Sequence, residues 1–109
     1  MSEDSLLSKF RESIIPKIIK KYNPEKVLLF GSRIKGSPTE GSDIDVIIVS
    51  EKFEDIKFLN RMPKMLKEFR FERHVDYLCY TPEEFKQLKD TSTVLMDALK
   101  YGELIPISK

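Results

Sequence analysis

Hydrophobic residues recur at three- and four-residue spacing in two stretches of the chain, which predicts amphipathic helices. The first covers residues 5–22 and the second covers residues 53–69. Pro16 and Pro63 lie inside these stretches and should kink or split the helices, because proline lacks the amide hydrogen that a helix interior needs. Asn23 and Pro24 should end the first helix.

Between the helices the pattern changes to short apolar runs, which predict strands. These strands cover residues 26–30, 44–49 and 75–80. The run at 44–49 is apolar on both faces, so it should lie in the middle of a sheet.

The C-terminal part predicts two shorter helices and an edge strand. Thr81, Pro82 and Glu84 form a capping box with proline in the first turn, so a helix should begin there. A last helix is expected over residues 92–101, ended by Gly102, and the short run 104–105 is expected as an edge strand.

Connection lengths indicate how the strands pair. About a dozen residues, rich in turn formers, join the first two strands, whereas a parallel crossover needs at least that many and usually a whole helix. We therefore expect the first two strands to be antiparallel. The long helix before the third strand allows it to lie parallel to the second, and alternating helices and strands indicate an α/β or α+β fold.

Composition narrows the possible classes of protein. The chain has 109 residues, 40% hydrophobic and 34% charged, which fits one folded domain over residues 1–109. Its apolar runs are too short to span a membrane, and its first residues do not form a secretory signal. With a single cysteine, Cys79, no internal disulfide is expected, and a cytoplasmic location fits. The net charge of +1 disfavours stable binding to nucleic acid.

Three aspartates are predicted to meet at one end of the sheet. Asp43 and Asp45 are two residues apart and so share a face of their strand, and Asp76 begins the neighbouring strand. Carboxylates this close repel one another unless a cation offsets the charge, and oxygen-only sites suit Mg²⁺ or Mn²⁺. Taken alone, an Asp-x-Asp pair is more often an ordinary polar turn.

The turn after the first strand adds a second element. Gly31 allows close approach of a ligand to the backbone, and Ser32 and the residues after it could present amide groups to a phosphate. Arg33 and Lys35 add positive charge, although Lys35 is equally well explained as a solvated loop residue. A phosphate-binding turn facing a two-metal carboxylate site is suited to in-line phosphoryl displacement.

The segment GSRIKGSPTEGSDID carries a family resemblance. Gly31-Ser32, ten further residues and then Asp43-Ile44-Asp45 resemble the signature of the polymerase-β nucleotidyltransferase superfamily. The flanks VLLFGSR and SDIDVIIV are similar in particular to its minimal members. The resemblance implies an α+β fold with a mixed sheet and helices packed on one side.

The resemblance also implies residue roles. Asp43, Asp45 and Asp76 would be the catalytic and metal-binding carboxylates, with two Mg²⁺ ions (Mn²⁺ is possible) bound together with nucleotide. Gly31, Ser32 and Arg33 would bind the nucleoside triphosphate. The reaction implied is transfer of a nucleoside monophosphate, AMP from ATP in the first place, to a hydroxyl group.

Kinship further implies a partner, since 109 residues leave no room for a domain that binds the acceptor. Minimal members pair with a small helical HEPN-type protein as the antitoxin of a toxin–antitoxin module, and self-association is the alternative. A different function also stays open: a binding module or antitoxin that is catalytically weak or inactive and acts by contact through its amphipathic C-terminal helix.

Overall fold

A computed structural model describes residues 5–30 and 44–107. The helices in these ranges are α1 (Ser5–Ser13), α2 (Ile15–Tyr22), a 3-10 turn (Glu51–Asp55), α3 (Phe58–Glu68), α4 (Pro82–Leu88) and α5 (Thr93–Tyr101). The strands are β1 (Lys26–Phe30), β2 (Ile44–Val49), β3 (Val75–Tyr80) and β4 (Glu103–Leu104).

The four strands form one mixed sheet in the order β3-β2-β1-β4. β1 and β2 are antiparallel, and β2 and β3 are parallel, as the connection lengths predicted. β4 pairs antiparallel with β1, with Leu104 opposite Leu28, and begins one residue before the predicted edge strand. The predicted α+β class is therefore confirmed.

Alternation along the strands builds a core on each face of the sheet. The larger core packs α1, α2 and α3 against one face, with Phe10, Ile18 and Met65 fully buried. This is the helical layer that was expected on one side. In addition, α4 and α5 cover part of the other face through Phe85 and Leu95.

Both long helical patterns are interrupted, but only one of them at its proline. The first divides between Ser13 and Ile15, with Pro16 in the first turn of α2, and ends at Asn23 in the left-handed conformation (φ 44°). The second breaks at residues 56–57, where the chain is extended after the 3-10 turn. Pro63 lies within continuous α3, so it does not split that helix.

The capping box at the start of α4 is confirmed and belongs to a larger polar network. Thr81 accepts from the Glu84 amide at 3.2 Å, and the Glu84 carboxylate accepts from the Thr81 amide at 2.8 Å. Arg61 of α3, only 5% exposed, donates to the same carboxylate at 2.6 Å and to the Cys79 carbonyl at 3.1 Å. This network therefore ties α3, β3 and α4 together at the C-terminal end of β3.

Gly102 ends α5 by close packing. Its φ of −77° is open to any residue, so the left-handed cap that usually explains a terminal glycine does not apply. A Cβ atom at this position would lie 2.4 Å from the Ala98 carbonyl oxygen and 2.8 Å from that of Leu29. Glycine is therefore required for α5 to approach β1.

We expect Glu84→Gln to lower the free energy of unfolding by about 1 kcal/mol at neutral pH, because Arg61 loses its charged partner while glutamine still completes the capping box. The hydrogen bond from Arg61 lowers the pKa of Glu84 below its usual value. Ionised Glu84 therefore contributes its full share to the free energy of unfolding above the pKa that Glu84 has in the unfolded chain. That contribution is lost as pH falls through the lower pKa that Glu84 has in the folded chain. Urea denaturation at a series of acidic pH values is the measurement. The difference in free energy of unfolding between the variant and the wild type should shrink as pH falls.

The matched control is Glu83→Gln, which removes a carboxylate from the same first turn of α4 at an exposed position. Two outcomes would contradict a stabilising Arg61–Glu84 ion pair. One is an equal loss of stability in the control, and the other is a loss of stability in Glu84→Gln that does not change with pH.

Candidate active site at the sheet end

A row of three residues crosses the sheet where β1 ends and β2 and β3 begin. Asp45 lies opposite Phe30 of β1 on one side and opposite Asp76 of β3 on the other. Residues in register on neighbouring strands share a face, and such strands lie about 4.8 Å apart. The two carboxylates therefore lie side by side on one face, and both are half-buried.

Ile44 explains why Asp45 faces this way. Its side chain is 1% exposed and points into the larger core, so the next residue must point to the opposite face. Asp45 is also the one residue of β2 that is not buried. The predicted meeting of Asp45 and Asp76 thus follows from the strand register that the structure shows.

Four other predicted site residues, Gly31, Ser32, Arg33 and Asp43, lie outside the described residues. Their flanking residues are described. Phe30 ends β1 and Ile44 begins β2, on adjacent antiparallel strands at the same end of the sheet. The two described residues that flank 31–43 therefore both lie next to Asp45.

His74 is a further member of the cluster that the sequence interpretation undervalued. Its Nε2 atom lies 2.9 Å from Oδ1 of Asp76, and half of its side chain is exposed. No role was assigned to it from the sequence. The i, i+2 spacing to Asp76, which places both side chains on one face of an extended chain, was the signal available.

The donor atoms brought together fit a hard divalent cation only in part. Asp45 and Asp76 supply carboxylate oxygens, the ligand type that Mg²⁺ and Mn²⁺ prefer. Within residues 5–30 and 44–107, no group of three or more His, Cys, Asp or Glu side chains is arranged to hold a metal ion. The third carboxylate of the predicted set is Asp43.

Cys79 takes no part in this chemistry. It lies near the other end of β3, is 2% exposed, and burial raises the pKa of its thiol to about 12. The thiol is therefore protonated at neutral pH, as expected for a small buried apolar residue.

The protein is an α+β domain whose mixed sheet carries paired aspartates at one end, and sequence comparison identifies the family. The profile of the family described as "Polymerase beta, Nucleotidyltransferase" matches residues 12–105. The chain belongs to this family and is a nucleotidyltransferase.

A solved structure agrees with this assignment, and a second is reported beside it. A crystal structure of a candidate nucleotidyltransferase from Sulfolobus solfataricus is 26% identical, with a TM-score of 0.57 over 82% of this chain and 85% of that chain. A second candidate nucleotidyltransferase is 32% identical over 77% of this chain and 88% of that chain, with a TM-score of 0.46. A search of curated proteins finds no match. None of the helices in the described ranges combines the length and apolar character needed to cross a bilayer.

Mn²⁺ binding should be centred on Asp45 and Asp76. In ¹H–¹⁵N spectra recorded with a non-hydrolysable triphosphate, we expect substoichiometric Mn²⁺ to broaden the amide signals of residues 44–46 and 75–77 first, because paramagnetic broadening falls steeply with distance. Asp45→Asn should weaken this effect, since it removes one anionic ligand.

The control is Asp90→Asn, which removes an exposed carboxylate after α4. Broadening that begins elsewhere, or that both variants reduce equally, would show that the metal binds at another place.

Proposed function

We propose that the chain is a Mg²⁺-dependent enzyme that transfers a nucleoside monophosphate, AMP from ATP, to a hydroxyl acceptor. Asp43, Asp45 and Asp76 form its catalytic metal site, and Gly31, Ser32 and Arg33 hold the triphosphate. The observation that carries the proposal is the register of β2 and β3, in which Asp45 lies directly opposite Asp76.

The strand spacing suits the reaction. Carboxylates on neighbouring strands about 4.8 Å apart can both coordinate a pair of metal ions. In two-metal phosphoryl-transfer sites the two ions are about 3.5–4 Å apart. When bound, Mg²⁺ ions would neutralise phosphate charge and make the acceptor hydroxyl more acidic. The half-buried aspartates and the apolar Phe30 beside them hold this part of the site in one arrangement.

Each group has a defined role in the transfer. The acceptor oxygen forms a bond to the α-phosphorus, and the bond from that phosphorus to the oxygen bridging to the β-phosphate breaks, so pyrophosphate leaves. Asp76 takes the proton of the acceptor hydroxyl. His74, bonded to Asp76 at 2.9 Å, orients that carboxylate.

The acceptor belongs to another molecule in this proposal. A small helical HEPN-type protein is the first candidate, which would make the chain the antitoxin of a cytoplasmic toxin–antitoxin pair, and a second copy of this chain is the alternative. What supports a separate acceptor molecule is the membership of the nucleotidyltransferase family.

Transfer can be measured with ATP labelled at the α-phosphate, Mg²⁺ and the co-expressed neighbouring gene product. We expect label to appear on the acceptor, and Asp45→Asn to reduce the rate by at least about 100-fold, because metal-assisted charge stabilisation contributes several kcal/mol to such reactions. Label at the γ-phosphate should not transfer.

Asp90→Asn is again the matched control and should keep the wild-type rate. If no label transfers, and Asp45→Asn still binds the neighbour as tightly as wild type does, catalysis is the wrong assignment.

The second candidate function, a module that acts by contact alone, has its own observation. The apolar stripe of the amphipathic helix α5 consists of Val94, Leu95, Ala98 and Leu99. Leu95 and Ala98 are fully buried, but Val94 and Leu99 are 46% and 44% exposed. Ordinary core packing therefore explains half of the stripe, and the other half is accessible to a partner.

Light scattering of the chain with and without its co-expressed neighbour tests this function. We expect a stable complex, and we expect Leu99→Glu to weaken it because the substitution places a charge on the accessible apolar half of α5. Lys100→Glu, on the same helix, is the control for charge. A chain that stays monomeric beside its neighbour contradicts the contact function.

A further inference from the structure

A half-open cavity of about 330 Å³ lies at the start of β3, outside the row of aspartates. It is formed where the chain leaves α3 and enters β3, and its lining includes Arg70, Arg73 and His74, all with exposed side chains. Its volume is at the lower end of the range for small-molecule sites. Among its lining residues, His74 also contacts Asp76, and the others take no part in the transfer reaction proposed above.

The charge of this cavity is positive. Glu72 is its acidic lining residue, and Glu72 accepts a hydrogen bond from Lys9 at 2.9 Å. Arg70 forms no ion pair with any residue in the described ranges. Its guanidinium can therefore offer a pair of parallel donors to an oxyanion, the arrangement for which arginine is suited.

One wall of the cavity is apolar and held in place. Phe71 packs edge-on against Phe10 of the larger core, with ring centroids 5.3 Å apart. Leu66 of α3 adds to the same wall. The basic side chains are thus presented from a segment that is anchored at its aromatic residue.

The cavity and the end of β1 lie on opposite sides of the aspartates. Across the sheet the order is the end of β1, then Asp45, then Asp76, and β3 is the edge strand. In the proposed reaction the triphosphate is held at the β1 side. Because attacking and leaving oxygens are in line across the phosphorus, the acceptor must approach from the β3 side. The cavity lies at that edge of the sheet, on the face of the larger core, and His74 connects it to Asp76.

The distance is also suitable. His74 lines the cavity, and its Nε2 atom lies 2.9 Å from Oδ1 of Asp76, so the cavity borders the proton-accepting carboxylate. An acceptor anchored in the cavity could reach Asp76 with a hydroxyl group a few bonds away.

We propose, resting on the function proposed above, that this cavity is the acceptor-anchoring subsite and binds an oxyanion, a phosphate or a carboxylate, that the acceptor carries near its reactive hydroxyl. Arg70 is the main anion-binding residue. The enzyme therefore selects anionic acceptors over neutral ones.

The test is titration of the ¹⁵N-labelled full chain with inorganic phosphate and, separately, with acetate, both at constant ionic strength. We expect saturable shifts in the amide signals of residues 70–75, and we expect Arg70→Gln to weaken that binding at least about tenfold. Lys86→Gln, which removes an exposed charge from α4, should not weaken it. The stronger of the two probes identifies the oxyanion as phosphate or carboxylate.

A second titration, with Mg²⁺ and a non-hydrolysable triphosphate already bound, locates the site relative to the nucleotide. The probe should bind at residues 70–75 together with the nucleotide. Competition between them would make the cavity part of the nucleotide site and overturn the inference, as would the absence of saturable shifts or an equal effect of the Lys86→Gln control. Because the first titration contains neither nucleotide nor metal, its failure is distinguishable from failure of the transfer assay.

Discussion

The pairing of β2 with a neighbour on each side is the constraint on which the rest of the structure depends. β2 is antiparallel to β1 and parallel to β3, and every one of its residues except Asp45 is buried. A slip of one residue in either pairing would turn Asp45 towards the larger core and an isoleucine towards the site. The apolar residues that stabilise the sheet therefore also determine where the carboxylate lies.

The two ends of β3 are held by different interactions. At its C-terminal end, the buried Arg61 bonds to the Glu84 carboxylate and the Cys79 carbonyl, which joins α3 and α4 to the strand. At its N-terminal end, Asp76 and the basic residues before it are accessible to solvent. The stable end supports the accessible one, and this division is usual where a rigid scaffold carries a site that must admit substrate.

Much of the fold was predictable because short-range patterns decide it. The bounds of β1, β2 and β3 follow from apolar runs, and the start of α4 follows from the capping box at Thr81. The second helix was less predictable. Its spacing appeared continuous across residues 53–69, but Ser50 caps a 3-10 turn there through the Lys52 amide and donates to the Tyr22 carbonyl, so the helix breaks before Pro63.

The sequence by itself determined which chemistry is available: three aspartates, a Gly-Ser turn and the spacing that links them to a nucleotidyltransferase family. Only the tertiary structure decided that Asp45 and Asp76, 31 positions apart in sequence numbering, lie opposite each other, because strand register is set by pairing across the whole sheet. It also decided that His74 contacts Asp76 and that the basic residues before β3 line a cavity. Local spacing specifies which face a side chain takes, whereas the neighbours on that face depend on how distant segments pack.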